Sequence, residues 1–219
     1  MYPIHTATLN GNLDIIEVLI NECQVNPQQI RRAWLSDNVL QMAASSGHLD
    51  ILRYFIKRQA MDVNVRNKFN ETPLLFATVN NHFEIVEYLI SKGADENVIN
   101  IQNENVLYYA VCNKDLSIPK YLLANEKVEI SPPLVRSLPY RAVVCNNFDY
   151  LKYLIDEKKL EPNWTNRDGY TPLMAAARQN DLNIIKYLVE RKVDLFKVNK
   201  NGRAARYLAT DFEVVEYLV

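Results

Sequence analysis

The chain has 219 residues, of which 48% are hydrophobic, and its 25 basic side chains nearly balance its 26 acidic ones. A chain with a net charge of −1 has no long-range field to attract nucleic acid or an anionic membrane surface, so neither is predicted as a partner. Charged residues interrupt the apolar runs well before the roughly 20 residues of a membrane span, so membrane insertion is not predicted either.

The start of the chain, Met1-Tyr2-Pro3-Ile4-His5, has no basic segment followed by an apolar stretch, so no secretory signal is predicted. The three cysteines are odd in number and form no CxxC pair. This usage favours an intracellular, cytoplasmic location, which would be the inside of a host cell if the source is a pathogen or a virus.

One pattern of residues returns along the whole chain about every 33 positions. Aligned on one small residue per copy, the chain has Ala7, Ala43, Ala77, Ala110, Ala142, Ala176 and Ala209. In most copies a polar break and a second apolar stretch follow the alanine, with apolar residues at i, i+1, i+4 and i+5. Each copy therefore predicts two amphipathic helices joined by a turn.

In the first half of the chain, residues 14–20, 50–56 and 84–90 predict the second helix of successive copies. Between the first two copies, residues 26–37 depart from the pattern, and Pro27 predicts a short extra helical turn there instead of a β-turn. In the third copy, Thr72 and Pro73 predict a sharp helix start, since Thr caps the first turn and Pro needs no amide partner there.

The second half of the chain repeats this helix start at Thr171 and Pro172. Residues 129–136 are irregular because two prolines stiffen the chain and remove amide donors, so no finger is expected there. Pro139 is displaced by one position, which predicts a late start for the first helix of its copy, and Pro119 must lie in the first turn of a second helix. Positive φ is expected at the turn tips, at Asn70, Asn103, Gly169 and Gly202.

These motifs resemble the ankyrin-repeat family over nearly the whole chain. Pro3-Ile4-His5 is similar to the family's TPLH helix start, Gly47-His48 to its Gly-His turn, and Gly93-Ala94-Asp95-Glu96-Asn97 to its GAD-x-N loop. The resemblance implies an all-α repeat solenoid, an ankyrin-repeat stack of about seven helix-turn-helix units with short β-turn fingers, irregular at the unit 1–2 and unit 4–5 junctions. We expect a single domain, 1–219, with approximate units 1–33, 34–66, 67–99, 100–131, 132–165, 166–198 and 199–219, the first and last incomplete.

Residue types that could carry chemistry occupy repeat positions instead. All five glycines lie at predicted turns, which excludes GxGxxG and P-loop nucleotide sites. His5, His48 and His82 lack a second ligand at i+3 or i+4, so we interpret them as structural and not as metal ligands or bases. A row of tyrosines is interpreted as packing between second helices: Tyr54, Tyr88, Tyr121, Tyr153, Tyr187 and Tyr217. We expect no enzyme activity, no metal and no cofactor.

The resemblance implies that finger tips and the exposed side of the first helices bind a partner protein or peptide. The candidate residues are Trp34, Arg66, Lys68, Phe69, Glu71, Ile101, Gln102, Glu104, Arg167, Asp168, Tyr170, Arg178, Gln179 and Arg203. Aromatic and arginine side chains are the usual anchors of interfaces, so Phe69 and Tyr170 at the turn tips are interpreted as binding residues. Trp34 either fills the gap left by a missing finger or meets a partner.

Three functions remain open from the sequence. The favoured one is a protein-interaction module or adaptor, because no catalytic-type residue is left over from the repeat. The second is the targeting or substrate-recognition half of a larger enzyme or effector, suggested by an end inside a predicted helix at residues 216–219. The third is a regulatory domain that binds a small ligand at the irregular residues 26–37.

Overall fold

The computed structural model describes residues 2–30, 37–125 and 132–219, with the backbone alone for residues 132–135. The chain forms two compact parts, Met1–Glu129 and Ile130–Val219, called here the N-terminal part and the C-terminal part. The described residues form helices, turns and loops, without a strand. None of their helices is long and apolar enough to cross a bilayer.

The N-terminal part consists of helical hairpins. In chain order the helices are α1 Pro3–Leu9, α2 Leu13–Asn21, α3 Val39–Ser46, α4 Leu49–Arg58, α5 Pro73–Val79, α6 Phe83–Ser91, α7 Val106–Ala110 and α8 Ser117–Ala124. Each odd-numbered helix packs against the next helix in the chain and against the first helix of the neighbouring hairpin, as α3 does with α5. This is the arrangement of a repeat solenoid, in which each hairpin buries its apolar face against its neighbours.

The C-terminal part repeats the arrangement. Its elements are α9 Pro132–Val144, α10 Phe148–Lys152 with the π-helical turn Tyr153–Glu157, α11 Pro172–Gln179, α12 Leu182–Glu190, the 3-10 turn Ala205–Tyr207 and α13 Phe212–Tyr217. Helix α11 packs between α9 and the 3-10 turn, while α10 packs on α9, α12 on α11 and α13 on the 3-10 turn. The prediction of an all-α repeat solenoid is therefore confirmed.

The repeated alanines lie where neighbouring hairpins approach. Six of them, Ala7, Ala43, Ala77, Ala110, Ala142 and Ala176, are buried, and Ala209 is half-buried. Around them the leucine side chains of successive hairpins, such as Leu40 of α3 and Leu74 of α5, are almost fully buried. The small side chain allows close packing of the first helices, since interiors are packed without large voids.

The predicted helix starts and turn tips are observed. The Thr72 and Thr171 side chains accept hydrogen bonds from the amides of Leu75 and Met174, with proline at the first helical position in both cases. Asn70, Asn103, Gly169 and Gly202 all have positive φ. At the matching cap of the last repeat, Ala204 has no side-chain oxygen, and only the 3-10 turn forms there.

One prediction about a helix start is wrong. Helix α9 begins at Pro132, before the expected position, and Pro139 lies inside it. The first amides of any helix have no partner within that helix, so a proline at the helix start costs no hydrogen bond. The tandem prolines can therefore form the first turn of α9 and do not delay it. Pro119 lies in the first turn of α8, as expected. Residues 26–29 form a hydrogen-bonded turn, and the rest of that junction, residues 31–36, lies outside the described residues.

Candidate functional site

A recurring asparagine builds each described finger. The Asn67 side-chain oxygen accepts hydrogen bonds from the amides of Phe69 and Glu71, at 2.9 and 3.0 Å. Matching bonds are made by Asn100, Asn166 and Asn199. Sequence reasoning missed these residues, although their common position in the repeat was a visible signal. The two bonds fix the turn and leave the tip side chains facing outward from a rigid backbone.

Neighbouring finger tips are joined through their backbones. In the N-terminal part the Ile101 amide donates to the Phe69 carbonyl at 3.0 Å, and in the C-terminal part the Lys200 amide donates to the Asp168 carbonyl at 3.2 Å. Gly169 allows this approach, because a Cβ there would lie 3.2 Å from the Lys200 nitrogen and φ is +80°. Each pair of tips therefore forms one continuous edge.

The edge in the N-terminal part combines apolar and polar side chains. Phe69 is half-buried, with the Lys68 ammonium 4.9 Å from its ring centroid, and Ile101 is 59% exposed. Gln102 beside it is exposed, and so is Arg66, whose guanidinium donates to the Asn70 side chain at 3.1 Å. Of the predicted residues in this part, the structure thus places these five on the finger surface.

Glu71 and Glu104 are engaged inside their own fingers. A Glu71 carboxylate oxygen accepts from the Asn67 amide nitrogen at 2.8 Å, and Glu104 accepts from the Tyr109 hydroxyl at 2.6 Å. Burial, followed by the bond to Glu104, raises the pKa of Tyr109 to about 12. Both carboxylates hold the finger in shape, a role that their position in the sequence did not reveal.

The surface of the C-terminal part is basic and aromatic. Arg167, Asp168 and Arg203 are exposed on the finger tips, and Arg178 is exposed at the end of α11. The half-buried Tyr170 ring lies 6.2 Å from that of Tyr140, which the sequence did not indicate. Burial raises the pKa of Tyr140, and the nearby Arg178 opposes that shift. Besides these residues, Gln179 is exposed on α11 and donates to the Val144 carbonyl at 3.3 Å.

Among the residues that remain, two histidines have backbone contacts. Trp34 lies outside the described residues. His48 and His82 each place Nε2 3.0 to 3.1 Å from a backbone carbonyl of the preceding hairpin, as expected of structural histidines. Within the described ranges no three His, Cys, Asp or Glu side chains are grouped so as to hold a metal ion.

Comparison with known proteins identifies the repeated pattern of helical hairpins. A family model described as "Ankyrin repeats (3 copies)" matches residues 4–100, 40–133 and 139–219. The chain is 30% identical over 182 residues to alpha-latrocrustotoxin-Lt1a of Latrodectus tredecimguttatus, which covers 74% of this chain and 12% of the toxin. The chain thus spans about one eighth of that relative's length.

Two solved structures are similar over most of the chain. The human ASB11 ankyrin repeat domain has a TM-score of 0.84 and 25% identity, covering 100% of this chain and 96% of that domain. A chain from the complex of the Bdellovibrio bacteriovorus predatory endopeptidase Bd0816 with immunity protein Bd3460 has a TM-score of 0.69 and 26% identity, covering 82% of this chain and 95% of that one.

Proposed function

Because this chain belongs to the ankyrin-repeat family, whose repeats are generally protein–protein interaction modules, we propose that it binds a partner protein or peptide through its finger tips and first helices. The observation that carries the proposal is the pair of backbone-bonded finger edges, which hold exposed side chains on a fixed frame. We infer that the chain is a non-catalytic adaptor with no nucleic-acid partner and no cofactor.

The residues on these edges have the chemistry of interface anchors. Phe69 and Tyr170 are half-buried aromatic side chains at turn tips, Arg167 is an exposed arginine on a finger tip, and Arg178 is an exposed arginine at the end of α11. The few residues that dominate the binding energy of protein interfaces are enriched in tyrosine, tryptophan and arginine. Since the asparagine-capped fingers are already ordered, little conformational entropy would be lost on binding. Trp34 remains a candidate from its position in the sequence.

Affinity capture from the native cell tests this proposal. Intact protein is compared with a variant carrying Phe69→Ala, Tyr170→Ala, Arg167→Glu and Arg178→Glu, and identified partners are then titrated. The matched control carries Glu87→Ala and Lys186→Ala, two exposed positions on second helices. We expect the finger variant alone to lose its partner. If the affinity of every identified partner is unchanged in that variant, the proposed surface is wrong.

A second candidate is that the chain is the recognition segment of a longer enzyme or effector. Its support is the match to a toxin of which the chain covers 12%. Sequencing the source gene beyond codon 219 tests this candidate. A continuing reading frame supports it, and a stop codon directly after Val219 removes the support.

A further inference from the structure

The repeat position just before the N-cap of each first helix holds residues of different charge in the two parts of the chain. In the N-terminal part this position holds Asp37, Glu71 and Glu104. In the C-terminal part the residues before the caps Thr171 and Ala204 are Tyr170 and Arg203. The acidic residues have a definite task, because their carboxylates accept hydrogen bonds within the fingers.

Those carboxylates satisfy the finger asparagines. The Asn67 amide nitrogen donates to Asp37 and to Glu71, at 2.8 Å in both cases. The Asn100 amide nitrogen donates to the Tyr109 hydroxyl at 3.0 Å and to Glu104 at 3.4 Å. Every amide proton that lies inside a finger needs such an acceptor, since it cannot reach water.

Asn199 lacks the acceptor. Its side chain has the same place and the same backbone bonds as Asn67, and it is only 4% exposed. Its amide nitrogen is buried and has no hydrogen-bond partner among the described residues. Arg203 stands where Glu71 and Glu104 stand in the fingers of Asn67 and Asn100, so this finger has a donor and a cation but no carboxylate.

The surface around Asn199 is positively charged. In the C-terminal part, the finger and first-helix stretches 132–145, 164–180 and 197–210 contain eight basic residues and one acidic residue. The remaining stretches, 146–163, 181–196 and 211–219, contain six basic and ten acidic residues. Arg167, Arg178, Lys200 and Arg203 are all exposed, and the bond between the Lys200 and Asp168 backbones brings their two tips together.

We propose that the surface formed by the exposed side chains of Arg167, Arg178, Lys200 and Arg203 binds an acidic peptide segment of a partner protein. One carboxylate of that segment pairs with Arg203, which stands where the fingers of Asn67 and Asn100 carry Glu71 and Glu104. Charge-assisted bonds of this kind are stronger than neutral ones. This inference rests on the proposed interaction function and names the chemistry of its partner.

A single carboxylate fits this surface better than the phosphates of a nucleic acid. At the repeat position of Arg203 the fingers of Asn67 and Asn100 carry one glutamate each, so a single carboxylate is what this finger lacks. Asp168 lies on the tip between the basic residues, and the net charge of the chain is −1, so a polyanion would meet repulsion outside the patch. The Tyr140 and Tyr170 rings offer an apolar contact next to the basic side chains.

Fluorescence polarisation tests the inference with a short labelled peptide of alternating Glu and Ala around one Phe. The comparison peptide has Lys in place of Glu, and further arms use single-stranded oligothymidine and phosphatidylserine vesicles. We expect saturable binding of the acidic peptide, weakened about tenfold or more by Arg167→Glu with Arg203→Glu and strengthened at low salt. The matched control Lys186→Glu, a reversal on the second-helix side, should leave the Kd almost unchanged.

The inference is overturned if the acidic peptide does not bind, if Lys186→Glu weakens it as much, or if oligothymidine or vesicles bind more tightly. Circular dichroism melts check that each variant is folded, and Arg203→Ala serves as a second variant should the double reversal unfold. If the acidic peptide does not bind but captured partners still depend on Phe69 and Tyr170, the inference of an acidic partner is wrong and the proposed function stands. If the peptide binds but the affinity of captured partners is unchanged in every finger variant, the proposed function is wrong instead.

Discussion

Replacing Arg203 by glutamate should make the isolated protein more stable, although it removes a residue from the proposed binding surface. In the native chain the Asn199 amide nitrogen is buried without a partner, and an unsatisfied buried donor costs about 1–3 kcal/mol. The introduced carboxylate would stand where Glu71 stands beside Asn67, 2.8 Å from the donor. It would also reduce repulsion among Arg167, Lys200 and their neighbours.

The expected gain in the free energy of unfolding is about 1 kcal/mol, because the glutamate loses side-chain entropy when it is fixed. For a chain of this size that corresponds to a rise in Tm of about 2–4 °C. Urea denaturation followed by far-UV circular dichroism gives the free energy, and a thermal melt gives Tm.

A double-mutant cycle with Asn199→Ala shows whether the gain passes through the Asn199 side chain. The reasoning requires that Arg203→Glu gain little in the Asn199→Ala background. It is refuted if Arg203→Glu is no more stable than the native chain, or if the gain is the same in both backgrounds.

Three other outcomes follow from the described contacts. Asn67→Ala should lower the free energy of unfolding by about 2 kcal/mol, because two backbone amides lose their acceptor, while Asn64→Ala, outside the finger tip, should cost less in the same urea titration. Ala204→Thr should raise it by about 1 kcal/mol by capping the last repeat, which extra helix signal in circular dichroism would confirm and an unchanged urea midpoint would contradict. The raised pKa of Tyr109 predicts a contribution to stability that is complete below pH 10 and lost as pH rises through about 12, so Tyr109→Phe should flatten the fall in urea midpoint over that range.

The features that could be predicted from the sequence alone are those determined by interactions between residues only a few positions apart. Thr72 and Thr171 cap their helices because cap and amide lie three residues apart, and Gly169 and Gly202 have positive φ because the turn itself demands it. The alanine period identified the places where helices approach, since only a small side chain fits there. The start of α9 was missed because proline is compatible both with a first turn and with an irregular segment, and Pro132 could have served either.

The finger surface was less predictable, since its residues depend on contacts between turns. Glu71 and Arg203 occupy the same position of the repeat, and only the position of Asn67 relative to Glu71 and Asp37 shows that the first is an internal acceptor. Tyr140 belongs to α9 but lies beside Tyr170 of the following finger. Contacts between neighbouring fingers, such as those of Asp37 with Asn67 and of Tyr140 with Tyr170, join residues about 30 positions apart. The sequence pattern within one turn cannot predict them.

The tips of neighbouring fingers are held together by peptide groups, from Ile101 to Phe69 and from Lys200 to Asp168. Every amino acid except proline carries the amide that donates these bonds, and every one carries the carbonyl that accepts them. Side chains at the tips can therefore change in evolution without loosening the scaffold. The same frame displays isoleucine and phenylalanine at one pair of tips and lysine and aspartate at the other, so new specificities can arise by point substitution while the architecture is inherited unchanged.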